Sequence, residues 1–157
     1  MARNSVPLYL KLSDALAEQI MDFVKIVPTG NIAAMMQLLD GESVYRIMRL
    51  RLANDESMLL ETNYLPCNRF PEFSRQMVKH QSLYRVLQNR FALNIDVAEE
   101  TFEPSRLRPM GAQMLHTVQG VLGMLIERIS YEGGKVVEIS KSISPASKFK
   151  HHVVLRR

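Results

Sequence analysis

The sequence predicts an α+β domain, with one central antiparallel sheet and helices packed against it. Three observations predict it. Short helical patterns alternate with pairs of strand-like runs, each pair joined by a polar turn. A shift of 77 residues lays helix 31–39 on 108–116, strand 44–52 on 121–129 and strand 57–65 on 134–142. The fingerprints of a parallel α/β crossover, G-x-G-x-x-G and G-x-x-x-x-G-K-[ST], do not occur. Two helix–hairpin units can share one sheet, with the helices covering it. Few side chains match under the shift: Arg51 falls on Arg128, Glu61 on Glu138, Val44 on Val121 and Leu38 on Leu115. Coincidence is the competing reading.

Taken in order, residues 8–20 read as a helix, because Leu8, Leu12, Ala15, Leu16 and Ile20 recur at helical spacing after Pro7. Phe23 to Val27 is a short strand closed by Pro28. Helix 31–39 carries Ile32, Met35, Met36 and Leu39, and Asp40-Gly41 stops it. Residues 43–52 and 57–65 read as a hairpin joined by Ala53-Asn54-Asp55-Glu56. Pro66 to Phe73 is irregular. Leu83, Tyr84 and Leu87 stripe a helix over 81–91, and Ile95 to Phe102 alternates like a strand. A helix near 107–117, strands at 121–131 and 135–143 around Glu132-Gly133-Gly134, and a final strand at 149–156 complete the reading.

Composition bounds the function. The chain has 157 residues, 46% hydrophobic and 23% charged, enough for one domain with a core. No apolar run approaches the length of a membrane span. The N-terminus places Asp14 and Glu18 inside its apolar pattern and has no small-residue cleavage signature, so no secretory signal is read and the cytoplasm is the expected compartment. One cysteine, Cys67, excludes an internal disulfide and a multi-thiolate zinc site. His80, His116, His151 and His152 have no metal-pair spacing, and no cofactor or metal is expected. The net charge of +4 is concentrated late: five basic residues and no acid follow Glu138. That segment reads as a solvated strand and tail, or as a phosphate- or nucleic-acid-facing patch.

One constellation carries chemistry. On strand 43–52, Tyr45, Ile47, Arg49 and Arg51 share a side, and a three-residue loop Asn54-Asp55-Glu56 sets Arg49 opposite Glu61 and Arg51 opposite Leu59. Asn63 joins that face. Arginines bind phosphate or carboxylate oxygens in a fork, and a fixed glutamate accepts from hydroxyls or amines. The face is therefore either the floor of an anion-recognising pocket or a solvated surface of cross-strand ion pairs.

The run ESVYRIMRLRLANDESMLLETNYLP, then SLYRVLQNRF at 82–91 and GGKVVEIS at 133–140, resembles the effector-binding (UTRA) domain of GntR-type bacterial transcription regulators of the HutC subfamily. The resemblance spans roughly residues 22–157. It implies a chorismate-lyase-like fold, a homodimer, and a bound small anionic metabolite, a sugar phosphate or an organic or amino acid, with no catalysis. It also implies a ligand set. Arg49 and Arg51 resemble the family's arginine pair, Glu61 its strand glutamate, Ser82 the serine opening its S-L-Y helix, and Glu138 the glutamate of its V-E-x-S motif. Where many members carry an R-G-D-R-Y-like run, this chain reads Pro145-Ala146-Ser147-Lys148-Phe149, and Lys148 is the candidate to compensate.

Residues 6–20 are similar to the opening helix of the family's winged helix-turn-helix domain, so residues 1–21 are expected to be a remnant of it and 22–157 the effector domain. With the recognition helix and wing missing from the sequence, DNA binding by this chain is expected to be weak or absent, and no membrane association is expected. Two other functions compete: a lyase-like enzyme on the same architecture using Glu61 or Glu138, and a dimerisation module that modulates full-length relatives.

Overall fold

The computed structural model describes residues 17–152 and 154. Six strands run β1 (Ala17–Ile26), β2 (Val44–Ala53), β3 (Glu56–Pro66), β4 (Val97–Arg106), β5 (Leu122–Glu132) and β6 (Lys135–Pro145). Three helices intervene: α1 (Asn31–Met35), α2 (Leu83–Phe91) and α3 (Pro109–Met114), with 3-10 turns at Arg75–Val78 and Ala146–Lys148. The strands form one sheet in the order β1-β2-β3-β6-β5-β4, with every neighbouring pair antiparallel. The α+β sheet architecture read from the sequence is the one observed.

The duplication is present, but its offset is 79 residues rather than 77, carrying Arg49 onto Arg128 (128 − 49) and β3 onto β6 end to end. The backbone repeats with the sequence. Gln37 and His116 are both left-handed, at φ 54° and 52°, and Gly41 and Gly120 both sit at φ 83°. Ala33, Met35, Ile47 and Pro66 recur as Ala112, Met114, Ile126 and Pro145. A two-residue error keeps every side chain on its own face of a strand, which is why the wrong shift still looked coherent.

Both hairpins turn on two residues. Asn54 and Asp55 have φ 49° and 60°, Gly133 and Gly134 φ 57° and 77°, and the closing pairs are Ala53–Glu56 and Glu132–Lys135. Positive φ at both positions matches the right-handed strand twist. The expected three-residue loop is therefore corrected, yet the register it was meant to secure holds. A bulge between Arg51 and Leu52 inserts Met58 unpaired on β3, restoring Arg49 opposite Glu61 and Arg51 opposite Leu59. The second hairpin repeats the device, with Val137 as the extra residue.

The largest correction is at the start. Residues 17–20 are strand, not helix; the rest of the expected helix 8–20 lies outside the described residues. β1 pairs along β2 with a register shift between Ile20 and Asp22. That bulge lets Ile20 and Phe23, three residues apart, pack on the same core cluster, a spacing that imitates a helix. The expected strand 149–156 is also absent among the described residues; Phe149 and His151 instead lie against the Phe102 ring, with centroids 6.3 and 4.9 Å away.

The core lies on both faces of the sheet. Beneath α1 and α3, Leu50, Leu60, Leu115, Val44 and Ile139 are buried. On the other face, α2 and residues 67–80 cover Tyr45, Ile47, Leu65, Phe73, Leu83 and Leu87. The polar constellation continues this second face toward the hairpin ends. Among the described residues no helix is long and apolar enough to cross a membrane, and no three His, Cys, Asp or Glu side chains are grouped to hold a metal. Cys67 is a half-buried free thiol whose pKa burial pushes up.

Candidate functional site

The face that alternation assigned to Arg49, Arg51, Glu61 and Asn63 is sealed, not solvated. Arg49, Glu61 and Asn63 are wholly buried and Arg51 is 1% exposed. Four strands feed the same layer. Cross-strand pairing puts Glu61 beside Ser142, Asn63 beside Ser140, Arg128 beside Ser140 and Ser130 beside Glu138, all buried.

Arg49 is the hub of one half. Its Nε and Nη2 donate to Asn63 Oδ1 at 3.1 and 2.9 Å, Nη1 donates to Glu18 Oε1 at 2.8 Å, and Nη2 also donates to Glu61 Oε1. Ser142 Oγ donates to the other Glu61 oxygen at 3.3 Å. Arg51 Nη1 stands 3.6 Å from Glu18 Oε1. Burial on its own would pull the Arg49 pKa down; Glu61 and then Glu18 more than offset it, so its pKa lies above the ordinary arginine value.

Glu138 is the hub of the other half. Its Oε1 accepts from Tyr84 Oη at 2.7 Å and Asn63 Nδ2 at 2.8 Å, and its Oε2 accepts from Ser130 Oγ at 2.9 Å. Burial pushes the Glu138 carboxyl up, with Glu61 adding to it, against the pull of Arg128, Tyr84 and Asn63. Arg128 donates from Nε and Nη2 to Glu100 Oε1 at 3.0 and 2.8 Å, and from Nη1 to Tyr84 Oη at 3.3 Å. Burial lowers its pKa as well, and Tyr84, Glu138 and Glu100 together raise it beyond that loss. Asn63 joins the halves by accepting from Arg49 and donating to Glu138. Chemically, such an array offers forked cations suited to an anion, and carboxylates and an amide suited to hydroxyls or amines.

The structure thus brings together five of the residues singled out from the sequence: Arg49, Arg51, Glu61, Asn63 and Glu138. Ser82 is half-buried at the start of α2, two residues before Tyr84, and its side chain makes no capping hydrogen bond. Lys148 lies at the start of β3, where its Nζ donates to Ser57 O at 2.7 Å and pairs with Glu56 at 3.0 Å. Sequence reasoning missed Glu18, Tyr84, Glu100, Arg128 and Ser130. The 79-residue shift would have found Arg128 as the counterpart of Arg49. Tyr84 was read only as part of an apolar stripe, which its ring is, while its hydroxyl reaches Glu138.

The architecture is a duplicated antiparallel sheet that buries a layer of charged and polar side chains. The chain belongs to the UTRA domain family, whose match covers residues 13–150. It is 26% identical over 132 residues to the HTH-type transcriptional repressor NagR of Bacillus subtilis (strain 168), covering 83% of this chain and 54% of that protein. The chain therefore spans about half the length of that curated relative. The ligand-binding domain assigned to a GntR-family transcriptional regulator from Bordetella bronchiseptica superposes with a TM-score of 0.85 at 20% identity, covering 91% of this chain and 90% of that one. A GntR-family regulator from Bacillus cereus gives 0.79 at 21% identity, covering 90% and 99%. The chorismate-lyase-like fold expected from the resemblance is the fold of this chain. These relatives are named as transcriptional regulators and regulator domains.

Proposed function

We propose that the domain senses a small anionic metabolite, a sugar phosphate or an organic or amino acid, bound against the Arg49–Glu138 layer. In a complete HutC-type regulator, binding there adjusts the grip on DNA; the unit works as a homodimer and binds DNA weakly or not at all by itself. The observation that carries the reading is the convergence of Arg49, Arg51, Glu61, Asn63 and Glu138 on one sheet face. The arginines, with Ser82, receive the anionic end. Glu61, Asn63 and Glu138 orient the polar body, and Lys148 is an outlying contributor that must first leave Glu56. Family membership and the similarity to NagR support the regulatory role.

Titration calorimetry against a panel of sugar phosphates and organic acids tests it, with Arg49→Lys and Ser82→Ala beside the parent. Charge-assisted hydrogen bonds contribute about 1.5–3 kcal/mol each, so losing the arginine fork should weaken binding by roughly one to two orders of magnitude. A ligand that binds all three proteins equally would place recognition elsewhere.

A further inference from the structure

Glu18 belongs to two places at once. It lines a cavity of about 530 Å3 between β1 and the 3-10 turn, and it bonds Arg49, which is not among the residues lining that cavity. The cavity's other wall carries Arg75, Lys79 and His80, all exposed. Arg75 and Lys79 carry positive charge, which favours anions along that wall. Glu18 is the residue shared by the cavity lining and the ion pairs of Arg49 and Arg51.

We infer that Glu18 is an internal stand-in for the effector's anionic group, displaced from Arg49 and Arg51 when an anion enters through this cavity, and that its release loosens the Ala17–Ile20 end of β1. The inference rests on the anionic-metabolite reading above. Charge supports it: with Glu18 in place, Arg49 and Arg51 face two carboxylates, Glu18 and Glu61, and hold no surplus for an anion. Removing Glu18 takes one negative charge away from Arg49 and Arg51.

The hold on Glu18 is also partial. One oxygen makes both contacts, at 2.8 and 3.6 Å, while Oε2 is buried without a hydrogen-bond partner among the described residues. A phosphate or carboxylate with both acceptors engaged satisfies the same donors better. Its side chain is 12% exposed, whereas Arg49 and Glu61 are fully buried, so of these three solvent reaches Glu18. Finally, β1 is an edge strand, and the register shift between Ile20 and Asp22 separates its first residues from the rest. A bulge is where a ladder parts.

Calorimetry with inorganic phosphate and glucose 6-phosphate tests the inference on the parent protein, Glu18→Gln, Glu18→Ala and Arg49→Lys, each checked for folding by thermal melting. Both Glu18 variants should bind at least one probe about tenfold or more tighter than the parent, and Arg49→Lys should bind it more weakly. Saturating probe should accelerate amide exchange at Ala17–Ile20 in the parent, and the Glu18 variants should exchange fast there without it. Parent binding that needs Arg49 but is unchanged or weakened in both Glu18 variants overturns the role of Glu18 and leaves the anion site standing. No binding of either probe to any of the four, or binding indifferent to Arg49, overturns the anion site and the inference with it.

Discussion

Replacing Arg49 by Met keeps an unbranched chain in the buried slot and removes every charge-bearing donor. Four donor contacts disappear: two to Asn63, one to Glu18 and one to Glu61. The lost bonds matter less than what they leave behind. Glu61 is wholly buried and Glu18 nearly so, and both face the vacated position. Breaking a buried pair by deleting one partner costs about 3–5 kcal/mol, because the surviving charge is uncompensated. For a domain of this length, roughly 2–4 °C of melting temperature accompanies each kcal/mol, so Arg49→Met should melt about 6–20 °C below the parent. Calorimetric or circular-dichroism melting reads this directly. A double variant, Arg49→Met with Glu61→Met, should recover part of the loss, since both members of the buried pair are then gone; the coupling energy should exceed about 1 kcal/mol. A single variant melting within about 2 °C of the parent, or a double variant whose loss is the plain sum of the singles, would refute the account of Arg49 as the charge on which this half of the layer depends.

Three further outcomes follow from other parts of the fold. Because burial raises the Glu138 carboxyl, the folded protein holds that proton more tightly than the unfolded chain. Its contribution is complete below the ordinary glutamate range and is lost as pH rises through the raised value; Glu138→Gln should flatten that fall in melts from about pH 4 to about pH 9. Gly123→Ala should cost about 1–3 kcal/mol by urea titration, since its Cβ would lie 2.6 Å from the Ser144 carbonyl oxygen, backbone that cannot give way. Asp55→Gly should raise the urea midpoint, because Asp55 stands at φ 60° where the sister turn has Gly134.

The sheet face at Arg49 was legible because alternation is a strictly local rule: Arg49, Arg51, Glu61 and Asn63 needed only a period of two and the right pairing register. The register came out right for a reason the sequence did not display. Asn54-Asp55 predicts a two-residue turn, which alone would have turned Glu61 away from Arg49; the unpaired Met58 restores the pairing. Nothing in Ser57-Met58-Leu59 marks a bulge, which is a compromise between turn twist and face burial. β1 was misread for the same kind of reason. The error is confined to its first residues: Ile20 closes a helical spacing of apolar residues, and only pairing with β2, a contact between residues some thirty apart, makes residues 17–20 strand, continuous with the strand read from Phe23. Tyr84 and Arg128 joined the layer through tertiary placement of α2 and β5, which no single segment encodes.

The duplication explains why the two halves of the layer differ in what they can do. Each half buries one arginine, Arg49 or Arg128, against a carboxylate from the adjacent edge strand, Glu18 or Glu100. Around that shared plan the partners have diverged. Under the 79-residue shift Arg51 corresponds to Ser130, Glu61 to Ser140 and Asn63 to Ser142, while Glu138 corresponds to Leu59. The first half concentrates charge; at the corresponding positions the second carries short hydroxyls, of which Ser130 donates to Glu138 and Ser142 to Glu61. Arg128 gives two donors to one Glu100 oxygen and a third to Tyr84, whose ring centroid lies 5.9 Å from the guanidinium. Arg49 gives one donor to Glu18, which like Glu100 is held through a single oxygen but lines a cavity with a basic wall. The two arginines therefore differ in how many donors each gives its edge-strand carboxylate, one from Arg49 to Glu18 and two from Arg128 to Glu100, and on that count the exchangeable anion position we infer falls on Arg49.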